Sequence, residues 1–126
     1  MSLGIFQHQF NNVDFGNSVI KSGTLNCIIG VNNNYQNYNQ GGVSFTYKIY
    51  YAIWGNLNMI IIEFLGISGS GNVSIPWGYN FTSNFIPSFR SSNSSTVTLN
   101  NLSQSAVNFT ASSANNVNAI AVGIGF

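Results

Sequence analysis

Charge is the scarcest property of this chain. Of its 126 residues only 4% are charged, with three Lys or Arg and two Asp or Glu, whereas an ordinary soluble domain carries roughly 25%. Three scattered cations do not make the clustered basic surface that phosphates require, so we expect no nucleic-acid partner. The same scarcity removes the ion pairs that stabilise coiled coils and exposed helical bundles.

Residues that carry catalysis or bind metals are also few. Cys27 is the only cysteine and His8 the only histidine, so an internal disulfide and a multi-histidine metal site are excluded. Asp14 and Glu63 have no spacing that assigns them as an acid–base pair, and no serine lies in a Gly-x-Ser-x-Gly elbow. We read Glu63 as a hydrogen-bonded or rim-facing carboxylate, the alternative being an acid of raised pKa. We therefore expect no enzyme, metal or cofactor.

Long apolar runs and helix-forming residues are missing as well. The longest apolar run, residues 59–62, is interrupted by Glu63, and no stretch approaches the ~18 residues that cross a membrane. We expect no membrane insertion. Ala, Leu, Glu, Lys, Gln and Arg are scarce together, which argues against helices.

Amides, hydroxyls, aromatic and β-branched residues take their place. The chain has 21 Asn and 17 Ser, and 44% of its residues are hydrophobic. Short apolar segments alternate with clusters of Gly, Asn and Ser, a pattern typical of strands separated by turns. We predict one all-β domain over residues 1–126, a two-sheet antiparallel sandwich of about eight strands that resembles a jelly roll.

The clearest strand is predicted over residues 43–54, where apolar and polar positions alternate for twelve residues. Gly55-Asn56 then predicts a two-residue hairpin turn, and residues 57–65 return as a strand that is apolar on both faces over residues 59–62. Covering both faces needs a second sheet and a loop, or another subunit. The other predicted strands are residues 18–21, 24–31, 72–75, 85–90, 96–100, 106–111 and 118–126.

Two groups of aromatic residues are candidates for ligand binding. The Asn-rich stretch 32–42 carries Tyr35 and Tyr38, and is either a solvated connection or a recognition loop. Trp77 and Tyr79, together with Trp54, either fill the ends of the core or form a platform for a neutral sugar. We take Tyr35, Tyr38, Trp77 and Tyr79 as the candidate glycan-binding residues.

The last strand carries a continuous apolar face. Ile120, Val122, Ile124 and Phe126 alternate with Ala and Gly, whose small side chains permit close approach by another layer. An apolar face of this length must be buried. We predict that it packs at a subunit interface, on a three-fold axis; the alternative is an ordinary central strand of one sandwich.

Residues 51–90 resemble the β modules that end phage tail fibres and related virion spikes. The resemblance lies in Trp54-Gly55-Asn56, the apolar strand 59–65, the Gly/Ser segment 66–71, the strand 72–75 and Pro76-Trp77-Gly78-Tyr79. It implies a homotrimeric, extracellular or virion-exposed β module that binds a host surface or builds a particle. We therefore predict a non-enzymatic structural protein of a virion or an extracellular appendage, a trimeric spike, fibre or capsid-associated module, with a host-surface glycan as a candidate partner.

Two other functions fit the same composition. One is a lectin-like carbohydrate-binding module that acts alone, and the other is an extracellular filament subunit that lends a terminal strand to its neighbour. The oligomeric state separates them, because we expect a trimer for the first function, a monomer or dimer for the lectin and an open polymer for the filament.

Overall fold

The computed structural model describes residues 27–31 and 34–126. This part of the chain is all-β, as predicted. It contains seven strands and no helix. The predicted strand at residues 18–21 lies outside the described residues. The strands are β1 (Cys27–Val31), β2 (Gln36–Gln40), β3 (Val43–Trp54), β4 (Leu57–Pro76), β5 (Ile86–Ser91), β6 (Val97–Leu102) and β7 (Ala106–Gly125).

The seven strands form one continuous antiparallel sheet, so the predicted two-sheet sandwich is not confirmed. Three long strands make its centre in the order β3-β4-β7. β1 and β2 follow each other along the free edge of β3, and β5 and β6 follow each other along the free edge of β7. The jelly-roll expectation needed two separate sheets, whereas here β4 and β7 run through both halves of the sheet.

β4 and β7 are each 20 residues long. A straight strand of that length would span roughly 65 Å, far more than a domain of this size can accommodate, so both strands must bend. The pairing between them shifts register three times between Phe64 and Gly71, and such β-bulges bend a strand without ending it. Gly66 has φ +71° and Gly69 φ +101°, backbone conformations that glycine adopts at no steric cost.

The same bend corrects two sequence predictions. The sequence predicts a turn at residues 67–71, between the strands 57–65 and 72–75, but these residues are the bulged middle of β4. Likewise residues 106–111 and 118–126 are two ends of β7, which passes through Ser113 and Asn116 with positive φ. In contrast, the predicted strand 43–54 and its Gly55-Asn56 turn are confirmed.

The bend folds one half of the sheet onto the other and encloses an aromatic core. Phe109, from the first half of β7, lies 5.3 Å from Phe64 and 6.0 Å from Phe45 between ring centroids, on the opposite half of the sheet. Phe89 of β5 stacks on Phe109 at 5.7 Å. Phe64 and Phe109 are completely buried, so this cluster fixes how the two halves meet.

Candidate functional site

The sheet has an inner face, turned toward the core, and an outer face. Across β4, β7 and β5 the register places apolar residues of the outer face side by side. Ile86 is 67% exposed and Ile120 is 42% exposed, whereas their apolar neighbours are half-buried. We call this surface the outer apolar face; it consists of Met59, Ile61, Ile86, Ile120, Val122 and Ile124.

A row of charged residues borders the outer apolar face. Lys48 pairs with Glu63 across β3 and β4, Glu63 with Ile120 across β4 and β7, and Ile120 with Arg90 across β7 and β5. Lys48, Glu63 and Arg90 therefore lie in one line across the strands. They are the charged side chains of the described residues, and all three belong to the outer side of the sheet.

Two tyrosines bind the carboxylate in this row. The hydroxyls of Tyr35 and Tyr50 both donate to Glu63 Oε1, the second at 3.1 Å. Lys48 Nζ lies 4.6 Å from the ring centroid of Tyr35 and 5.7 Å from that of Tyr50, within the range of a cation–π contact. Glu63 is thus a hydrogen-bonded carboxylate, one of the two arrangements expected for it.

The hydrogen bond also changes the acidity of Tyr35. Donation to Glu63 is the largest cause that raises the pKa of Tyr35 well above its ordinary value, and the neighbouring Tyr50 raises it further. The physical reason is that the hydrogen bond needs the proton, so ionisation of Tyr35 would break it and place two negative charges together.

On the inner side, residues 77–85 pack against the C-terminal part of β7. Trp77 and Phe81 meet edge to face at 5.9 Å, and a Cβ added at Gly123 would lie 3.1 Å from either ring. Trp77 is 1% exposed and its Nε1 donates to the carbonyl of Ser103 at 2.9 Å. Phe126 exchanges backbone hydrogen bonds with Ser83. The small residues of β7 therefore give these rings their space.

Beside this segment lies an open cleft of about 300 Å³. The inner face of the β3–β4 hairpin forms one side, and the backbone and side chains of residues 77–79 form the other. The cleft is lined by Ile49, Tyr51, Ile53, Asn58, Met59, Ile60, Trp77, Gly78 and Tyr79.

The predicted interface residues form one outward-facing row. Ile120 is exposed, and Val122, Ile124 and Phe126 are half-buried, while Ala and Gly between them are buried on the inner side. The close approach that the small residues were expected to permit is made by residues 77–85 of the same chain. β7 is also a central strand of one sheet.

The four candidate glycan-binding residues do not come together. Tyr35 lies on the outer side with Glu63, whereas Tyr38 stacks on the core ring of Phe45 at 4.5 Å. Trp77 and Tyr79 both line the inner cleft, but only Tyr79 is exposed, at 38%. The stretch that was predicted as a loop around Tyr38 contains β2, paired with β3.

Two residues of the cleft were not predicted from the sequence. Tyr51 and Asn58 lie on its sides, and both were assigned only to strands. Their alternation places them on one face of the hairpin, but the sequence did not show that this face is left partly uncovered at its end.

Within residues 27–31 and 34–126, no helix is long and apolar enough to cross a membrane, and no group of three or more His, Cys, Asp or Glu could hold a metal ion. Comparison of the chain with known protein families, curated proteins and solved structures finds no match.

Proposed function

We propose that this protein is a non-enzymatic structural module of a virion surface or an extracellular appendage, which self-associates through the outer apolar face, as a homotrimer, and contacts a host surface. The folded sheet would serve as a sandwich-like building block in such a fibre or spike. The observation that carries the proposal is the exposure of Ile86 and Ile120 on the outer apolar face.

The composition of this face supports a protein–protein contact. Interface cores are depleted of charge and bordered by polar residues, and the outer apolar face has that arrangement, with the row Lys48, Glu63 and Arg90 along one margin. Monomeric proteins rarely expose a contiguous apolar surface of this kind unless it binds something. In a trimer, the outer apolar faces of the three copies would pack against one another and remove their apolar side chains from water.

Substitution of Ile120 by Asp tests the proposal. A carboxylate at a position already 42% exposed should leave the monomer folded, but it would be desolvated in an interface. We expect size-exclusion chromatography with light scattering to report a trimer for the wild type and a monomer for Ile120→Asp, with unchanged circular dichroism.

Leu99→Asp is the matched control. Leu99 is 38% exposed and belongs to β6, outside the outer apolar face, so this variant should remain a trimer. A wild type that is monomeric at high concentration, or an Ile120→Asp variant that keeps the wild-type mass, would contradict the proposal. Shortening the chain is a poorer test, because Phe126 is bonded to residues 82 and 83 through its backbone.

A further inference from the structure

We propose that the inner cleft between Tyr79 and the β3–β4 hairpin binds a neutral pyranose sugar. The inference deepens the proposed function, because it names the class of ligand through which the module would contact a host surface. It does not need self-association, since the other residues that line the cleft do not belong to the outer apolar face, and Met59 alone is shared by the two.

The walls of the cleft match the two kinds of surface that a sugar ring presents. Ile49 and Ile60 are at most 8% exposed and form an apolar floor. Tyr51 and Asn58 are half-buried on the sides, and Tyr79 is exposed at the rim. Ligand sites typically combine apolar walls with a few placed polar groups. A pyranose meets the apolar walls with its C–H face and the polar groups with its hydroxyls.

The polar groups of the cleft are held in position. Asn58 Nδ2 donates to the carbonyl of Asn56 at 3.0 Å, which orients the amide so that its Oδ1 is the acceptor it can present to a ligand. The ring of Tyr79 packs edge to face on Phe81 at 5.1 Å, so one edge is anchored while the ring remains 38% exposed. Anchored side chains lose less conformational entropy on binding.

Gly30 of β1 explains why the ring of Tyr51 leaves the cleft open. The two residues are partners in the β1–β3 register. A Cβ at Gly30 would lie 2.6 Å from Tyr51 Cζ and from its hydroxyl, so the ring rests directly over the glycine. Any larger residue at position 30 would push the Tyr51 ring away from β1.

The electrostatics select an uncharged ligand. The charged side chains of the described residues are Lys48, Glu63 and Arg90, and their register places all three on the outer side of the sheet. Among the described residues that line the cleft, an acidic sugar would find no cation, and it would lose its hydration there. The volume of about 300 Å³ is at the lower end for small-ligand sites, which suits a single sugar unit of a longer glycan.

Saturation-transfer NMR on the full chain tests the inference. The probes are the methyl pyranosides of glucose, galactose, mannose and N-acetylglucosamine, with N-acetylneuraminic acid as the acidic probe and hexanol as the apolar one. We expect at least one neutral pyranoside to bind with a Kd near the millimolar range, and to bind more tightly than the acidic and apolar probes.

Variants locate the binding. Tyr79→Ala and Asn58→Ala should each weaken the best pyranoside by about tenfold, which corresponds to about 1.4 kcal/mol, and Gly30→Ala should weaken it by moving Tyr51. Tyr35→Ala is the matched control, because Tyr35 is also an exposed tyrosine, at 45%, but lies on the outer side. It should bind as the wild type does. Circular dichroism confirms that each variant is folded.

Several results would overturn the inference: no pyranoside binds, the acidic or apolar probe binds more tightly, or Tyr35→Ala weakens binding as much as the cleft variants do. Unchanged binding in both Tyr79→Ala and Asn58→Ala would do the same. Light scattering on the same samples reports the oligomeric state separately, so a failure of the sugar site is distinguishable from a failure of the proposed trimer.

Discussion

In the last part of β7 the face with the small residues is more deeply buried than the face with the large apolar residues, the reverse of what hydrophobicity alone predicts. The small residues Ala119, Ala121 and Gly123 are buried, whereas the larger Ile120 is 42% exposed. The inner space is filled from the other side by Trp77 and its neighbouring rings. Which face of a strand is buried therefore depends on what packs against it, and small residues can mark the more crowded face.

The two faces of the sheet differ in how they contribute to stability. The inner face contributes through close packing, where each methylene counts. The outer apolar face is only partly buried, and under the proposed function its exposed apolar area serves association. Substitutions on the two faces should consequently differ in kind: inner changes should alter the free energy of unfolding, and outer changes should alter the oligomeric state.

The largest effect is expected for Phe109→Ala. Phe109 is fully buried against rings of β3, β4 and β5 on the opposite half of the sheet, and removing such a ring should lower the free energy of unfolding by about 3–5 kcal/mol. Ile86→Ala, at a position 67% exposed on the outer face, should cost less than about 1 kcal/mol. Urea denaturation of both variants in the same oligomeric state measures the difference, and equal costs would refute the distinction between the faces.

Gly123→Val should have the next largest effect. The first added carbon already lies 3.1 Å from Phe81 and Trp77, so a branched side chain overpacks the site and should cost about 1–3 kcal/mol. Val122→Ile enlarges the neighbouring residue on the outer face by one methylene, and its effect should stay within about 0.5 kcal/mol. Thermal or urea unfolding compares the pair. A neutral Gly123→Val would mean that the rings do not fill the inner face.

Local sequence patterns were sufficient to predict part of the fold. Strict alternation predicted β3 with both of its ends, and the Gly-Asn pair predicted the turn after it, because both signals depend only on neighbouring residues. The bulges around Gly66 and Gly69 lie where the sequence predicts a turn, because Gly and Ser are common in both bulges and turns. Only pairing with β7 distinguishes them, and that pairing is a long-range property.

Local sequence features also identified only some of the residues that line the candidate cleft. An aromatic role for Tyr79 follows from its residue type, and it does line the cleft. Trp77 has the same chemical character but is buried and bonded to Ser103. Tyr51 and Asn58 belong to the β3–β4 hairpin. Their approach to residue 79 depends on the path of residues 77–85 across the inner face, which no local pattern encodes.

A smaller effect is expected at alkaline pH on the outer side. The bond to Glu63 raises the pKa of Tyr35 in the folded state, so above about pH 10 the unfolded chain loses this proton first. The folded state then binds more protons than the unfolded one, and stability falls as pH rises. The unfolding midpoint of the wild type should therefore drop more steeply above pH 10 than that of Tyr35→Phe. Parallel curves for the two proteins would contradict this.

The smallest effect is expected from salt. The inner face is stabilised by packing, and the described part of the chain has only Lys48, Glu63 and Arg90 as charged side chains, so little Coulomb energy is available to be screened. Raising sodium chloride from about 0.02 to about 0.5 M should change the free energy of unfolding by less than about 0.5 kcal/mol. Sodium sulfate at the same ionic strength should stabilise the protein, because it strengthens apolar burial. A loss of more than about 1 kcal/mol in sodium chloride would instead show that charge pairs support the fold, and packing alone would not account for the difference between the two faces.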